Sequence, residues 1–387
     1  MIRLRAKTRR ALLQFSVVAV LFLLVLRLQS GNSDHSDSFF CADSLHEPSH
    51  SRRRSDPAGS TLNHSNRQIP LLIGSDSTDF EDVANHTSAK DRDRVLILTP
   101  LKDAAAHIQQ HVKLLSELTY PHQAIDLAFL VGDCKDDTFS LVKEELESLQ
   151  SQSNVRRFRS AMILQNDFGD SLGQGIDERH GFRAQASRRK GLGRARNYLL
   201  YNALRPVHDW VYWRDVDIVE NPSTILEDFM KHDKDVLVPN IWFHRYDKNG
   251  KDIEGRYDYN SWQESWWGRW RRSHLDKDIV LAEGYKEYNM HRRTLNWMGD
   301  RHKDKDIEVH LDGIGGVSVL VKADVHRYGI NFPCYAFENQ ADTEGFALMA
   351  NRAGFQVVGL PNYIVWHIDT EEKEGNLKGN RKKQETR

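Results

Sequence analysis

Two aspartates one residue apart, Asp215 and Asp217, close the apolar part of the stretch WVYWRDVDIVENP, residues 210–222. The residues before them are aromatic and β-branched, the pattern of a buried strand, and the turn residues Asn221, Pro222 and Ser223 follow closely. In extended chain, side chains two apart point the same way. The spacing therefore predicts that both carboxylates project together while Val216 turns into the core. Adjacent carboxylates repel unless a cation neutralises them. Hard oxygen ligands suit Mn²⁺ or Mg²⁺. A cation held by few protein groups keeps positions open for diphosphate oxygens. An isolated Asp-x-Asp is also a common solvated turn or cap; the strand before this one favours the cation.

Other residue groups suit an anionic or hydroxylated ligand. RRKGLGRARN, residues 188–197, is the densest basic run of the central region. Guanidinium groups hold phosphate oxygens in a fork, and helical spacing puts Arg189 and Arg196 on one face. They are the expected diphosphate contacts, with a solvated helix face as the alternative. No Gly-Lys-Ser/Thr follows, so the glycines do not form a P-loop. LDGIGG, residues 311–316, sets Asp312 beside glycines that permit close backbone approach, or simply make a tight turn. SWQESWWGRWRR, residues 261–272, holds four tryptophans. It suits stacking on sugar rings, contact with another subunit, or core packing, and the residues do not choose among these.

Elements that would position these groups follow from periodicity. RVLILTP, IDLAFLVGD and VRRFRSAMILQ read as strands. Between them, KDAAAHIQQHVKLLSEL carries Ile108, Val112 and Leu115 on one helical face, and DTFSLVKEELESLQ reads as a second helix capped near Asp137 or Thr138. A helix over about 184–204 leads to the strand that ends in the aspartates. Alternation of this kind predicts an α/β fold with a mostly parallel central sheet. Ligands of such sheets lie beyond the carboxyl ends of the strands, which places Thr99, Asp133 and the Asp215/Asp217 pair on one rim.

The flanks differ. Residues 1–10 are basic, and 11–28 are apolar except for Gln14, Ser16 and Arg27. That run meets the roughly 17–25 residues of a membrane helix, with basic residues on the side expected to stay cytosolic. The reading is a signal anchor rather than a cleaved leader. Residues 29–92, rich in Ser, Asp, His and Arg, read as a disordered lumenal stem bearing sequons at Asn63 and Asn85. Residues 93–370 form the expected catalytic domain and 371–387 a flexible tail. Three cysteines are too few for a disulfide framework; Cys134 and Cys334 could pair, or remain thiols, and Cys41 could link two chains. With 54 Lys and Arg against 55 Asp and Glu, no global field argues for nucleic acid.

Together, RVLILTPLKDAA, GLGRARNYLL, VYWRDVDIVENP, HLDGIGGVSVLVKADVHR, YAFENQADTEGFALMANRAGF and VVGLPNYIVWHID resemble the fungal mannan polymerase subunits, the GDP-mannose-dependent α-mannosyltransferases of glycosyltransferase family 62. The likeness covers about residues 93–370. It implies a GT-A type nucleotide-sugar-binding domain in a type II protein of the Golgi membrane, cis-Golgi by expectation. Such a protein would transfer mannose from GDP-mannose to an oligomannose N-glycan acceptor, with Mn²⁺ (or Mg²⁺), in a hetero-complex of related subunits. A scaffold subunit with little activity of its own is the alternative. The resemblance further implies His367 as a metal ligand beside Asp215 and Asp217. It implies Thr99, Pro100 and Leu101, with Asp133, as nucleoside contacts, and Glu344 of ADTEGF near the acceptor hydroxyl, where Asp342 also reads as a helix N-cap. Asp312 would meet mannose hydroxyls. An α-linked donor giving an α-linked product means net retention, and neither Asp312 nor Glu344 is singled out as a nucleophile. Chain elongation through α-1,6 bonds is favoured over α-1,2. A metallohydrolase would need further Asp/His clusters, and the sequence offers none.

Overall fold

The computed structural model describes residues 70–73, 93–151, 157–169, 182–246, 249–282 and 290–369. The expected anchor, most of the stem, both sequons, Cys41 and the tail after 370 lie outside these residues. Among the described residues no helix is long and apolar enough to cross a membrane.

The strands are β1 (Leu71–Ile73), β2 (Val95–Leu101), β3 (Ile125–Val131), β4 (Ser160–Gln165), β5 (Trp210–Arg214), β6 (Ile218–Glu220), β7 (Val236–Tyr246), β8 (Asp252–Arg256), β9 (Trp262–Gln263), β10 (Arg293–Thr294), β11 (Val309–His310), β12 (Ser318–Lys322) and β13 (Val357–His367). The helices are α1 (Ile108–Ser116), α2 (Thr138–Gln150), α3 (Phe182–Ala203), α4 (Ile225–Met230), α5 (Trp266–Arg272), α6 (Ala323–Arg327) and α7 (Asp342–Arg352). One sheet runs β1-β4-β3-β2-β5-β12-β7-β13-β11, with β6 also on β13 and β8 also on β7, while β9 and β10 pair separately.

Strands β4, β3, β2 and β5 are parallel, as are β7 and β13, but β12 lies antiparallel between β5 and β7. The parallel reading therefore holds in two blocks that an antiparallel strand joins. The cause is local: β12 reaches its place from the 311–317 loop at the rim, not through a crossover helix. Both faces are covered, so the inner strands read as nearly unbroken apolar runs. On one face Ile97, Phe129 and Tyr212 pack with α1, α2 and α4; on the other Leu98, Leu130 and Trp213 pack with α3, α6 and α7.

Chain order runs outward from β2 through β3 to β4, then returns to β5 on the other side of β2. The helices switch faces at that return. This is a topological switch point, and it opens a crevice beyond the ends of β2 and β5.

Two boundaries differ from expectation. Residues 71–73, assigned to the stem, pair antiparallel with β4 (Leu72↔Met162). The edge of a parallel block presents unpaired backbone groups, and a short segment suffices to cover them. At α2 the Asp137 side chain makes no cap bond; Asp136 Oδ1 accepts the Thr138 amide at 3.1 Å instead.

Candidate functional site

Strand β5 stops at Arg214, and Asp215–Asp217 form a turn rather than extended chain. The expected strand geometry is thus replaced by a tighter one. The Asp215 amide donates to Val317 O at 2.9 Å, on the antiparallel neighbour, and the Asp217 carbonyl accepts the Ile368 amide at 3.1 Å. Val216 still packs against the core. The chain then enters β6, where Ile218 lies opposite His367. This pairing brings a residue from the end of the domain to the aspartates.

His367 is buried, 2.8 Å from Asp217 Oδ1 through Nε2 and 2.8 Å from the Ile368 carbonyl through Nδ1. A carbonyl only accepts, so Nδ1 carries a proton. Nε2 therefore turns a lone pair toward a carboxylate oxygen unless a second proton or a cation takes the space between. Asp217 Oδ1 is itself buried without a conventional hydrogen bond. Burial would lower the imidazole's pKa, but the Asp217 carboxylate outweighs it and holds His367 above its ordinary value. Conversely, burial pushes Asp217 up, and the His367 contact more than offsets this. Asp215 carries the remaining strain: burial and then the Asp217 charge push its carboxyl up to about 6. Two carboxylates and an oriented imidazole, all hard or borderline donors, fit Mn²⁺ or Mg²⁺.

The surroundings are built for this cluster. Tyr257, delivered by the β7–β8 hairpin, stacks on His367 with ring centroids 3.8 Å apart and planes at 23°. Arg214 lies buried beneath the turn, its Nη2 donating to Asn221 Oδ1 at 2.9 Å. Arg196 of α3 pairs with Asp342 and sits 4.0 Å from Asp215 Oδ1. A Cβ at Gly316 would run into the Arg196 guanidinium, so the bare glycine is what lets that side chain pass. Asp342, buried in the left-handed region at φ 54°, directs one oxygen to Arg196 and leaves Oδ1 buried without a partner. It is not the N-cap of α7; Ala341 holds that position.

The structure separates the other expected residues. Arg189 does not stand free for phosphate: it pairs with Glu344, and its Nη2 donates to Asn260 Oδ1 at 3.0 Å. Glu344 is fully buried, its second oxygen accepting Trp262 Nε1 at 2.8 Å. Asp312 Oδ2 accepts the Glu264 amide at 2.8 Å, and its Oδ1 faces His310 at 3.7 Å, so it holds the segment before α5. Thr99 lies inside β2, fully buried, its hydroxyl 3.3 Å from His111 Nε2. A hydroxyl contact to a nucleoside is thereby replaced by one to α1, because residue 99 faces the helix layer. Leu101 is buried and Pro100 half-buried at the strand end. Asp133 accepts the Phe168 and Gly169 amides at 3.1 and 3.2 Å, pinning the loop after β4. Cys134 and Cys334 are both free thiols, each in its own loop. A nearby group, Asp103, Cys134 and Asp136, gathers at the ends of β2 and β3. It serves the backbone, accepting amides of Lys135, Asp103 and Ala105.

Sequence reasoning missed Tyr257 and Arg214 and undervalued Asp342. Arg214 was visible as a cation in the last strand position before two acids. Tyr257 had no signal, since only the sheet brings it to His367.

The rim is that of an α/β domain with two acids and an imidazole gathered at its switch point. A model of the Anp1 family matches residues 75–336, more than half of the chain. The mannan polymerase II complex ANP1 subunit of Saccharomyces cerevisiae is 45% identical over 305 residues, 78% of this chain and 61% of its own. The mannan polymerase II complex anp1 subunit of Schizosaccharomyces pombe is 47% identical over 278 residues, 72% of this chain and 64% of its own. The mannan polymerase I complex VAN1 subunit of S. cerevisiae is 38% identical over 365 residues, 81% of this chain and 67% of its own. The chain belongs to the Anp1 family, that of the fungal mannan polymerase complex subunits. It spans less than two thirds of the length of the two ANP1 subunits. Among solved structures, the mannosyltransferase PcManGT from Pyrobaculum calidifontis, with GDP-Man and Mn²⁺, is 12% identical over 72% of this chain and 57% of that one, at a TM-score of 0.39. A likeness so remote carries no weight.

Proposed function

We infer that the chain is a metal-dependent, retaining α-mannosyltransferase with a GT-A type domain. It moves mannose from GDP-mannose to the outer chain of an N-glycan, with α-1,6 elongation favoured. It works in a complex with related subunits, held in the Golgi membrane by residues 11–28. Family membership supports the class of product. The observation that carries the chemistry is the His367–Asp217 contact at 2.8 Å, with the other ring nitrogen already committed to a carbonyl.

Asp215, Asp217 and His367 would hold the cation. When bound, it supplies positive charge to the diphosphate as the sugar leaves. The chain's own residues do the rest. Ile368 fixes the ring orientation of His367, and Tyr257 covers one face of it. Arg196 keeps Asp215 and Asp342 at the same crevice. Both Glu344 oxygens are occupied, whereas Asp342 Oδ1 is buried beside Arg196 without a partner, which favours Asp342 over Glu344 as the chemical acid of this crevice.

The test uses the full chain, alone and with related subunits, given GDP-mannose, Mn²⁺ and an oligomannose acceptor. Mn²⁺ binding is followed by electron paramagnetic resonance and the product by linkage analysis. Asp217→Ala is expected to abolish both Mn²⁺ binding and transfer. Transfer that requires a partner and survives Asp217→Ala would make this chain a scaffold.

A further inference from the structure

Helix α5 displays its tryptophans to water. Trp266 is 68% exposed, and Trp267 and Trp270 are each 54% exposed. The rings order one another: Trp266 and Trp267 stack at 4.2 Å, and Trp267 meets Trp270 edge-on at 5.7 Å. A groove of about 520 Å³ runs alongside, lined by Trp267, Gly268, Trp270, Arg271, Met290 and His291. Gly268 keeps it open, since a Cβ there would crowd the Met290 carbonyl at 2.9 Å.

The helix is fixed relative to the candidate site. Ser265 caps it, accepting the Gly268 amide at 3.0 Å. Glu264, one residue earlier, takes a two-pronged bond from Arg272 at 2.9 and 3.1 Å and lies 3.9 Å from Arg292. Arg292 stacks on Trp262 with 3.5 Å to the ring centroid and reaches within 4.0 Å of Glu344. Trp262 donates to the same Glu344, which pairs with Arg189 on α3.

The size of the surface selects its occupant. Three indoles at these exposures offer roughly 400 Å² of ring, taking ~150–250 Å² for a whole aromatic side chain. A stable protein partner covers about 800 Å² per side, about twice what the three rings present. The groove falls within the ~300–1,000 Å³ of small-ligand sites. Flat apolar faces along an almost wholly apolar groove suit the ring faces of a neutral pyranose chain, whose hydroxyls stay at its edges toward water.

We propose that the exposed indoles of Trp266, Trp267 and Trp270, with the adjoining groove, form an oligosaccharide platform for acceptor sugars remote from the bond being made. This rests on the transferase reading and names how its acceptor is held. The test titrates the full chain with a linear α-linked mannose disaccharide and with a longer linear mannose oligosaccharide, following indole fluorescence. No donor is needed. The longer ligand is expected to bind about tenfold more tightly, the scale of one or two aromatic contacts. Trp267→Ala/Trp270→Ala is expected to remove that gain while leaving disaccharide affinity and Mn²⁺ binding unchanged. Trp267→Tyr, which keeps a flat ring, is expected to retain most of it. Binding independent of ligand length overturns the proposal, as does a double alanine variant that holds the long oligosaccharide like the wild type. So does a double variant that binds sugar normally but no longer assembles with related subunits. Failure of GDP-mannose binding would sink the transferase reading alone, because the sugar titration remains readable without it.

Discussion

At the scale of single residues, the acids at the rim cost stability wherever nothing neutralises them. Asp215 and Asp217 sit in one turn with a buried histidine, and without a cation the Asp215 charge is poorly compensated. Replacing it with a neutral isostere removes that repulsion. Asp215→Asn is expected to stabilise the protein in chelator at neutral pH, read as a higher melting temperature, by about 1 kcal/mol of unfolding free energy once the screening at a side chain 31% exposed is allowed for. The same variant is expected to weaken Mn²⁺ binding at least tenfold, as does the loss of any direct ligand. A variant that is less stable in chelator would show that the two acids do not repel. The acids were legible in the sequence because Asp-x-Asp after an apolar strand is a local pattern. His367 was legible only through the family resemblance, since nothing local marks a late histidine as a neighbour of residue 217.

At the scale of elements, Glu344 shows how a local motif can mislead. ADTEG reads as an acid-bearing helix start, and Glu344 looks like its chemical member. Folded, it is the buried joint between α7, α3 and β9, through Arg189 and Trp262. Removing one partner of a buried pair leaves an uncompensated charge. Glu344→Gln is therefore expected to destabilise the protein by about 3–5 kcal/mol in urea unfolding. A variant with wild-type stability but no transfer would return Glu344 to a chemical role. The same limit explains the turn at Asp215. Periodicity ended the strand within a residue or so, but only the pairings of Val317 and Ile368 decide that the chain bends there. Contacts between residues so far apart in sequence leave no trace in a window of ten.

At the scale of the whole molecule, the α/β class was legible from alternating periods, and the order of the sheet was not. Order depends on the insertion of β12 and on β1, whose three residues carry no periodicity. A chain shortened to begin at Arg94 loses β1 and bares the edge of β4. It is expected to aggregate in size-exclusion chromatography where the chain that keeps β1 does not. Far from the rim, Asp126 joins Arg159 and His208 at the opposite end of the strands, with His208 Nε2 2.7 Å from its carboxylate. Burial pushes Asp126 up, but His208 and Arg159 prevail and hold it below its ordinary value. Its folded pKa is thus depressed, so the cluster stabilises fully above the unfolded value of ~4. That contribution is lost as pH falls through the lower folded value. Asp126→Asn is expected to cost about 3 kcal/mol at pH ~7, with the deficit closing under acid. A constant deficit across the acid limb would rule this out.

The pairing of β6 with β13 sets a schedule for biosynthesis. A growing polypeptide has both rim acids long before it has His367, and until the last strand docks, β7 lies uncovered on that side. If the rim acids and His367 hold a cation as proposed, competence emerges only with completion of the sheet: a ribosome stalled short of β13 is expected to yield a product that neither captures manganese nor hides its edge. Retention of the metal would then serve as a ready mark of a finished chain.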